Sequence, residues 1–247
     1  MTDPSRPHSG AAMLPLAAAL EKGVAFQRAG NLVEADRCYR EVLSAEPGQF
    51  DALHYLGVIE AQRGRYTEAL ALIDSALVVD PQSAAVHFSR GNILQGLNRF
   101  AEALASYEKV LAMMPGNALA LYNRGNVLQQ LGRYAEAIAT FDQLLAIAPG
   151  NAAVHYNRGV AMMSVKRYGE ALASFDRALA IEPADVETLT NRGITLYELR
   201  RYEAALASYD QALAIKPNFA EALNNRGNVL RELNRPAEAL ASFERAL

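Results

Sequence analysis

Apolar and polar positions alternate along almost the whole chain with the spacing of helices. One segment carries Ala135, Ile138, Phe141, Leu145 and Ala148, whose apolar side chains share a helical face. A longer period overlies this short one. Proline stands at Pro47, Pro81, Pro115, Pro149, Pro183 and Pro217, a step of 34 residues without slippage. Glycine holds the same step at Gly23, Gly57, Gly91, Gly125, Gly159, Gly193 and Gly227. Alanine holds it at Ala35, Ala69, Ala103, Ala137, Ala171, Ala205 and Ala239. A fourth column is large and mostly aromatic: Tyr39, Ile73, Tyr107, Phe141, Phe175, Tyr209 and Phe243. Columns that agree on one step of this size predict stacked units, each burying its apolar face against the next.

Every period splits into two segments of helical spacing, so each unit is expected to be a helical hairpin. The turn inside it is marked at Gly64 to Tyr66, Gly132 to Tyr134 and Asn98 to Phe100, where Gly or Asn suits a left-handed helix cap. The second helix is expected to end near the proline, which cannot continue it. Glycine in the first helix and alanine in the second suit close helix approach, and the aromatic column is expected to fill the gap between hairpins.

With its glycine, tyrosine, alanine, aromatic and proline columns, this pattern resembles the tetratricopeptide repeat. The resemblance covers residues 16–247, with units starting at 16, 50, 84, 118, 152, 186 and 220. It implies an all-α, right-handed superhelical solenoid of seven helix-turn-helix units whose first helices line a concave groove. The family's usual tryptophan at position four is replaced by Ala19, Leu53, His87, Leu121, His155, Leu189 and Leu223. Residues 1–15, rich in Pro, Ser and Gly, are expected to form a flexible leader. The seventh unit stops at Leu247, before its proline and without a polar helix over its end, so the chain is expected to be a fragment of a longer protein.

Charge and chemistry narrow the function. A net charge of -3 provides no basic field for nucleic-acid phosphates or an anionic membrane, and no apolar run is long enough to span one. Arg6 and His8 before Ala11 to Leu20 resemble a secretory signal only faintly, because Pro15 interrupts the run. The single cysteine, Cys38, excludes an internal disulfide and fits a reducing, cytoplasmic setting. No phosphate loop, dinucleotide fingerprint, His-Glu-x-x-His or nucleophile elbow occurs, so neither catalysis nor a cofactor is expected. His54, His87 and His155 lie one or two repeats apart, too far to share a metal when packed helices sit about 8 to 10 Å apart, and read as packing residues.

Candidate binding residues come from the groove-facing columns that the resemblance implies. Position six reads Asn123, Asn157, Asn191 and Asn225 in four consecutive units, and position nine adds Asn92, Asn126 and Asn228. One carboxamide can pair with both the N–H and the C=O of an extended peptide, so this ladder is expected to hold a peptide backbone with little regard for its sequence. Helices about 10 Å apart and a rise of about 3.3 Å per residue place one asparagine at every third peptide residue. Four contacts at about 1 kcal/mol each amount to about millimolar affinity. Position five adds His54, Phe88, Tyr122 and Tyr156 as aromatic anchors, although packing alone would also explain them.

Arg90, Arg124, Arg158, Arg192 and Arg226 hold position seven, and Asp74, Glu108, Asp142, Asp176 and Asp210 hold position 25 of the preceding units. Arg40 and Leu56 break both columns together, which predicts ion pairs between neighbouring repeats. A further column, Arg65, Arg99, Arg133, Arg167, Arg201 and Arg235, falls in the turns and reads as a solvated edge. The expected function is a protein-interaction scaffold with a protein or peptide ligand in its groove. Two alternatives stand beside it. The ladder and the abrupt end are similar to the substrate-selecting arm of O-linked N-acetylglucosamine transferases and their bacterial relatives, and the bare last helix (Leu240, Phe243, Leu247) could support self-association. A co-chaperone carboxylate clamp is not expected, because successive units lack its lysines and arginine.

Overall fold

The structure is a computed structural model that describes residues 10–247; the expected leader falls largely on residues 1–9, outside the described residues. The described residues form fourteen α-helices and no strand. They divide into two compact units, one ending at Pro115 and the other running Gly116–Leu247. The first unit holds α1 (Gly10–Arg28), α2 (Leu32–Ala45), α3 (Phe50–Gln62), α4 (Tyr66–Val79), α5 (Ala84–Gly96) and α6 (Phe100–Met113). The second holds α7 (Ala118–Gln130), α8 (Tyr134–Ile147), α9 (Ala152–Ser164) and α10 (Tyr168–Ile181), then α11 (Val186–Glu198), α12 (Tyr202–Ile215), α13 (Ala220–Glu232) and α14 (Pro236–Ala246).

Each odd-numbered helix pairs with the even-numbered helix that follows it, as the hairpin reading required. Within the second unit the first helices α7, α9, α11 and α13 also touch one another in sequence, and in the first unit α3 touches α5. Second helices do not approach each other to the same extent. First helices packed more closely than second helices curve each unit so that the first helices form its inner face.

Left-handed residues close the turns. Gly30, Gly64 and Gly132 have φ of 76°, 77° and 69°, and Asn98 and Asn234 have 57° and 56°. The Gly132 N–H donates to Gln129 O and the Arg133 N–H to Leu128 O, which absorbs two carbonyls at the end of α7. Lys166 and Arg200 take the same conformation, at 60° and 57°, where neither side chain favours it. The first helices begin with side-chain caps: Ser83, Asn117, Asn151 and Asp185 accept from the backbone N–H of Val86, Ala120, Val154 and Thr188.

The alanine column is wholly buried, and the glycine column has a single purpose. A Cβ on Gly159 would stand 2.6 Å from the Phe175 ring, and one on Gly125 would stand 2.4 Å from Phe141. The aromatic column therefore fills the gap inside each hairpin, against the glycine of its own first helix, and not primarily the gap between hairpins that was expected. Contact between neighbouring hairpins survives in places, as where Tyr39 lies 5.6 Å from Tyr55.

The expected arginine–acid pairs form within both units. Arg90, Arg158, Arg192 and Arg226 donate through Nε to Asp74, Asp142, Asp176 and Asp210 at 2.6 to 2.7 Å. Each also donates through Nη1 to Ser106, Ser174, Ser208 or Ser242, and Arg124 does so to Thr140. These hydroxyls donate onward to a backbone carbonyl one turn earlier in their own helix. The arginine is thus a planar clamp joining three groups. The turn arginines are exposed as expected, yet Arg99, Arg133, Arg167 and Arg235 pair with Glu102, Glu136, Glu170 and Glu238 three residues on.

Where the arginine column fails, another arrangement takes its place. Glu60, 1% exposed, receives Arg40 at 2.6 Å, Arg65 through a short bond, and Arg63 at 3.6 Å. Arg63 and Arg40 also bind Asp36. Burial opposes the charge on Asp36, but its bonds to Arg63 and Arg40 outweigh that and hold its carboxyl below the usual range.

Candidate peptide-binding face

In the first unit the inner face is open. Leu20, Val24, Asp51 and Tyr55 line a cleft of about 370 Å³ between α1 and α3. Val58, Gln62, Tyr66 and Asn92 line one of about 360 Å³ between α3 and α5. Residues of adjacent first helices thus line these clefts together.

His54 Nε2 lies 2.9 Å from Ser89 Oγ, and burial, partly opposed by Asp51, lowers its pKa. Phe88 packs on Tyr107 of its own hairpin at 5.9 Å. The Tyr107 hydroxyl lies 2.7 Å from Asn92 Oδ1 and 2.6 Å from Gln95 Oε1. His87 and His155 each place Nε2 2.9 Å from the carbonyl of the preceding proline, Pro81 or Pro149, which suits their expected structural role. Among the described residues no group of His, Cys, Asp and Glu could hold a metal ion.

The second unit carries the asparagine ladder on α7, α9, α11 and α13, where Asn123, Asn157, Asn191 and Asn225 are all half-buried. Its amides are engaged unequally. Asn157 Nδ2 donates to the Tyr122 hydroxyl at 3.2 Å and to Asn126 Oδ1 at 3.0 Å. An amide nitrogen has two hydrogens, so both are spent. Asn191 Nδ2 donates to the Tyr156 hydroxyl at 3.0 Å. Asn225 and Asn228 are half-buried and make no side-chain bond of this kind; 35 residues before Asn225, where the other couples have a tyrosine, stands the buried Thr190, whose hydroxyl donates to Val186 O.

The expectation that each ladder amide offers both donor and acceptor to a ligand is therefore corrected at Asn157. Its donors hold adjacent repeats together, which leaves Oδ1 as the amide's remaining hydrogen-bonding atom. Position five and position six of the next unit act as a couple, 35 residues apart: Tyr122 with Asn157, Tyr156 with Asn191, and in the first unit His54 with Ser89. The shared repeat step of both columns was the signal in the sequence, but the columns were read separately. The serine and threonine partners of the arginine clamps were missed for the same reason.

Tyr156 also stacks obliquely on Phe175 at 6.1 Å and walls a cleft of about 280 Å³ with Ala152, Ala153, Ala178 and Asp185. Burial, then the charge of Asp185, raises its phenol pKa, so the hydroxyl keeps its proton at neutral pH. On α11 and α13, Glu187, Glu198, Glu221 and Glu232 are exposed and take part in no ion pair. Against them stands the exposed Arg231 beside Glu232, so this end of the face is acidic on balance.

The fold and this face define a helical-repeat solenoid with an open inner surface. Family models described as tetratricopeptide repeat match residues 20–84, 88–152, 128–186, 158–223 and 208–241. The chain belongs to the tetratricopeptide repeat family. It is similar in structure to a tetratricopeptide repeat protein from Parabacteroides merdae, at 23% identity over 94% of this chain and 91% of that one, with a TM-score of 0.70. YrrB, described as a TPR protein with an unusual peptide-binding site, aligns at 22% identity over 75% of this chain and 95% of its own, with a TM-score of 0.67. Pseudomonas aeruginosa pilF aligns at 25% identity over 78% of this chain and 87% of its own, with a TM-score of 0.64. No curated protein sequence matches the chain. Among the described residues no helix is long and apolar enough to cross a membrane.

Proposed function

We propose that this protein is an interaction scaffold that holds an extended segment of another polypeptide along the inner face of its second unit. The observation that carries the reading is the row of half-buried asparagines on four successive first helices, with Asn157 and Asn191 fixed in place by tyrosines of the preceding repeats. Side chains already ordered by neighbours lose little entropy when a ligand arrives. The family, and the peptide-binding description of YrrB, support a scaffold role. Polar, uncharged ladder groups suit a backbone better than a particular side chain, and the acidic groups on α11 and α13 favour a segment with basic residues near that end.

A pull-down from native lysate, read by mass spectrometry, tests this. The fourfold variant Asn123→Ala, Asn157→Ala, Asn191→Ala and Asn225→Ala is expected to lose partners that the unaltered chain retains, with unchanged helical signal. Retention of the same partners at the same yield by the variant would place binding elsewhere.

A further inference from the structure

The bonding of Asn157 and Asn191 bears on which atoms a ligand meets and on its conformation, given the reading that this face holds an extended chain. In each couple the tyrosine oxygen accepts from the asparagine amide, which leaves the phenolic hydrogen free to donate. The asparagine Oδ1 is left to accept. Each couple thus offers a phenolic donor and an amide acceptor, with one further amide hydrogen at Asn191, and the phenol and the amide oxygen match the C=O and N–H of a single peptide residue.

Spacing then selects a conformation. Neighbouring first helices lie about 8 to 10 Å apart, and the two couples are related by one repeat. In a β-strand, residues three apart span about 10 Å but present their backbone groups to opposite sides. In a polyproline II helix three residues make one turn and rise about 9.3 Å, so every third residue presents the same groups in the same direction. Only the second geometry lets successive tyrosine–asparagine couples bind without twisting the chain between them.

We propose that the Tyr122–Asn157 and Tyr156–Asn191 couples read every third residue of a polyproline II segment, with tyrosine hydroxyls donating to its carbonyls and asparagine oxygens accepting from its amides. Proline is excluded at the residues that are read, since it has no N–H, and is welcome at the two between them. The exposed Glu187, Glu198, Glu221 and Glu232 add charge complementarity for basic residues where the segment crosses α11 and α13.

The test uses a peptide of repeated Ala-Pro-Pro triplets ending in a lysine pair, and an all-proline counterpart with the same lysines. Both are titrated into the isotope-labelled full chain and followed by NMR. The triplet peptide is expected to move the Asn157 and Asn191 side-chain signals, and the all-proline peptide to bind about fivefold or more weakly. The double variant Tyr122→Phe and Tyr156→Phe, checked for unchanged melting, is expected to weaken triplet binding by a similar factor. Equal binding of the two peptides overturns the proposal. So does unchanged or tighter binding by the phenylalanine variant, because amides released from tyrosine would then be the donors. If neither peptide binds while the fourfold asparagine variant still loses its captured partners, the polyproline reading falls and the peptide-holding face stands. If that variant keeps its partners, both fall.

Discussion

The two compact units both keep neighbouring repeats in register with arginine clamps, but one junction of the first unit uses different means. In the second, Arg158, Arg192 and Arg226 repeat one clamp of acid, arginine and serine, with acids about half exposed. In the first, the junction that lacks this arginine gathers Arg40, Arg63 and Arg65 around a carboxylate that water scarcely reaches. An exposed pair gains little and is cheaply lost. A buried charge becomes a liability once its partners go. The second unit relies on number, and the first on one concentrated group beside a single clamp, that of Arg90.

Breaking the buried group should have the largest effect. Glu60→Ala leaves Arg65 without its acid and Arg40 and Arg63 with Asp36 alone, and is expected to cost about 3 kcal/mol, the low end for a broken buried pair because the arginines are partly exposed, measured as a shift in the urea midpoint of the full chain. A loss below about 1 kcal/mol would mean that water compensates the charges. The glycine column sharpens the contrast next. Gly159→Ala drives a Cβ into the rigid Phe175 ring at 2.6 to 2.9 Å and should cost about 1 to 3 kcal/mol. Gly57→Ala meets Ile73 at 2.9 to 3.0 Å, whose side chain can shift rotamer, and should cost less. Equal losses at the two sites would show that the backbone, and not the ring, sets the limit.

Smaller effects follow. Arg192→Ala removes one clamp and is expected to cost about 1 kcal/mol or less, with the loss shrinking in high salt. Replacing Lys166 or Arg200 by glycine relieves a left-handed residue at a modest entropic cost, and thermal melts should show a gain of about 0.5 to 1 kcal/mol. The pH effect is the least. His54 has its pKa lowered by burial, so the unfolded chain takes up the proton first. Stability present above the ordinary histidine range should decline as pH falls through it, and His54→Gln should flatten that part of the profile.

The hairpins, their turns and the ion-pair columns were legible because each depends on residue type at a fixed step. What escaped depends on partners. Nothing about Lys166 or Arg200 announces a positive φ; the cap hydrogen bonds of the hairpin impose it against local preference. Phe175 could not be assigned to the inside of a hairpin until the depth of the Gly159 notch was known. At the candidate site the asparagines were visible as a column, but the spending of Asn157's donors on Tyr122 and Asn126 appears only when adjacent helices are brought together.

Hydrogen–deuterium exchange on the full chain, with and without the partner captured from lysate, tests the central claim most directly. The account predicts that new protection gathers on α7, α9, α11 and α13, around Asn157 and Asn191, with the second helices unchanged. Protection confined to α8, α10, α12 and α14, or to the first unit, would contradict it.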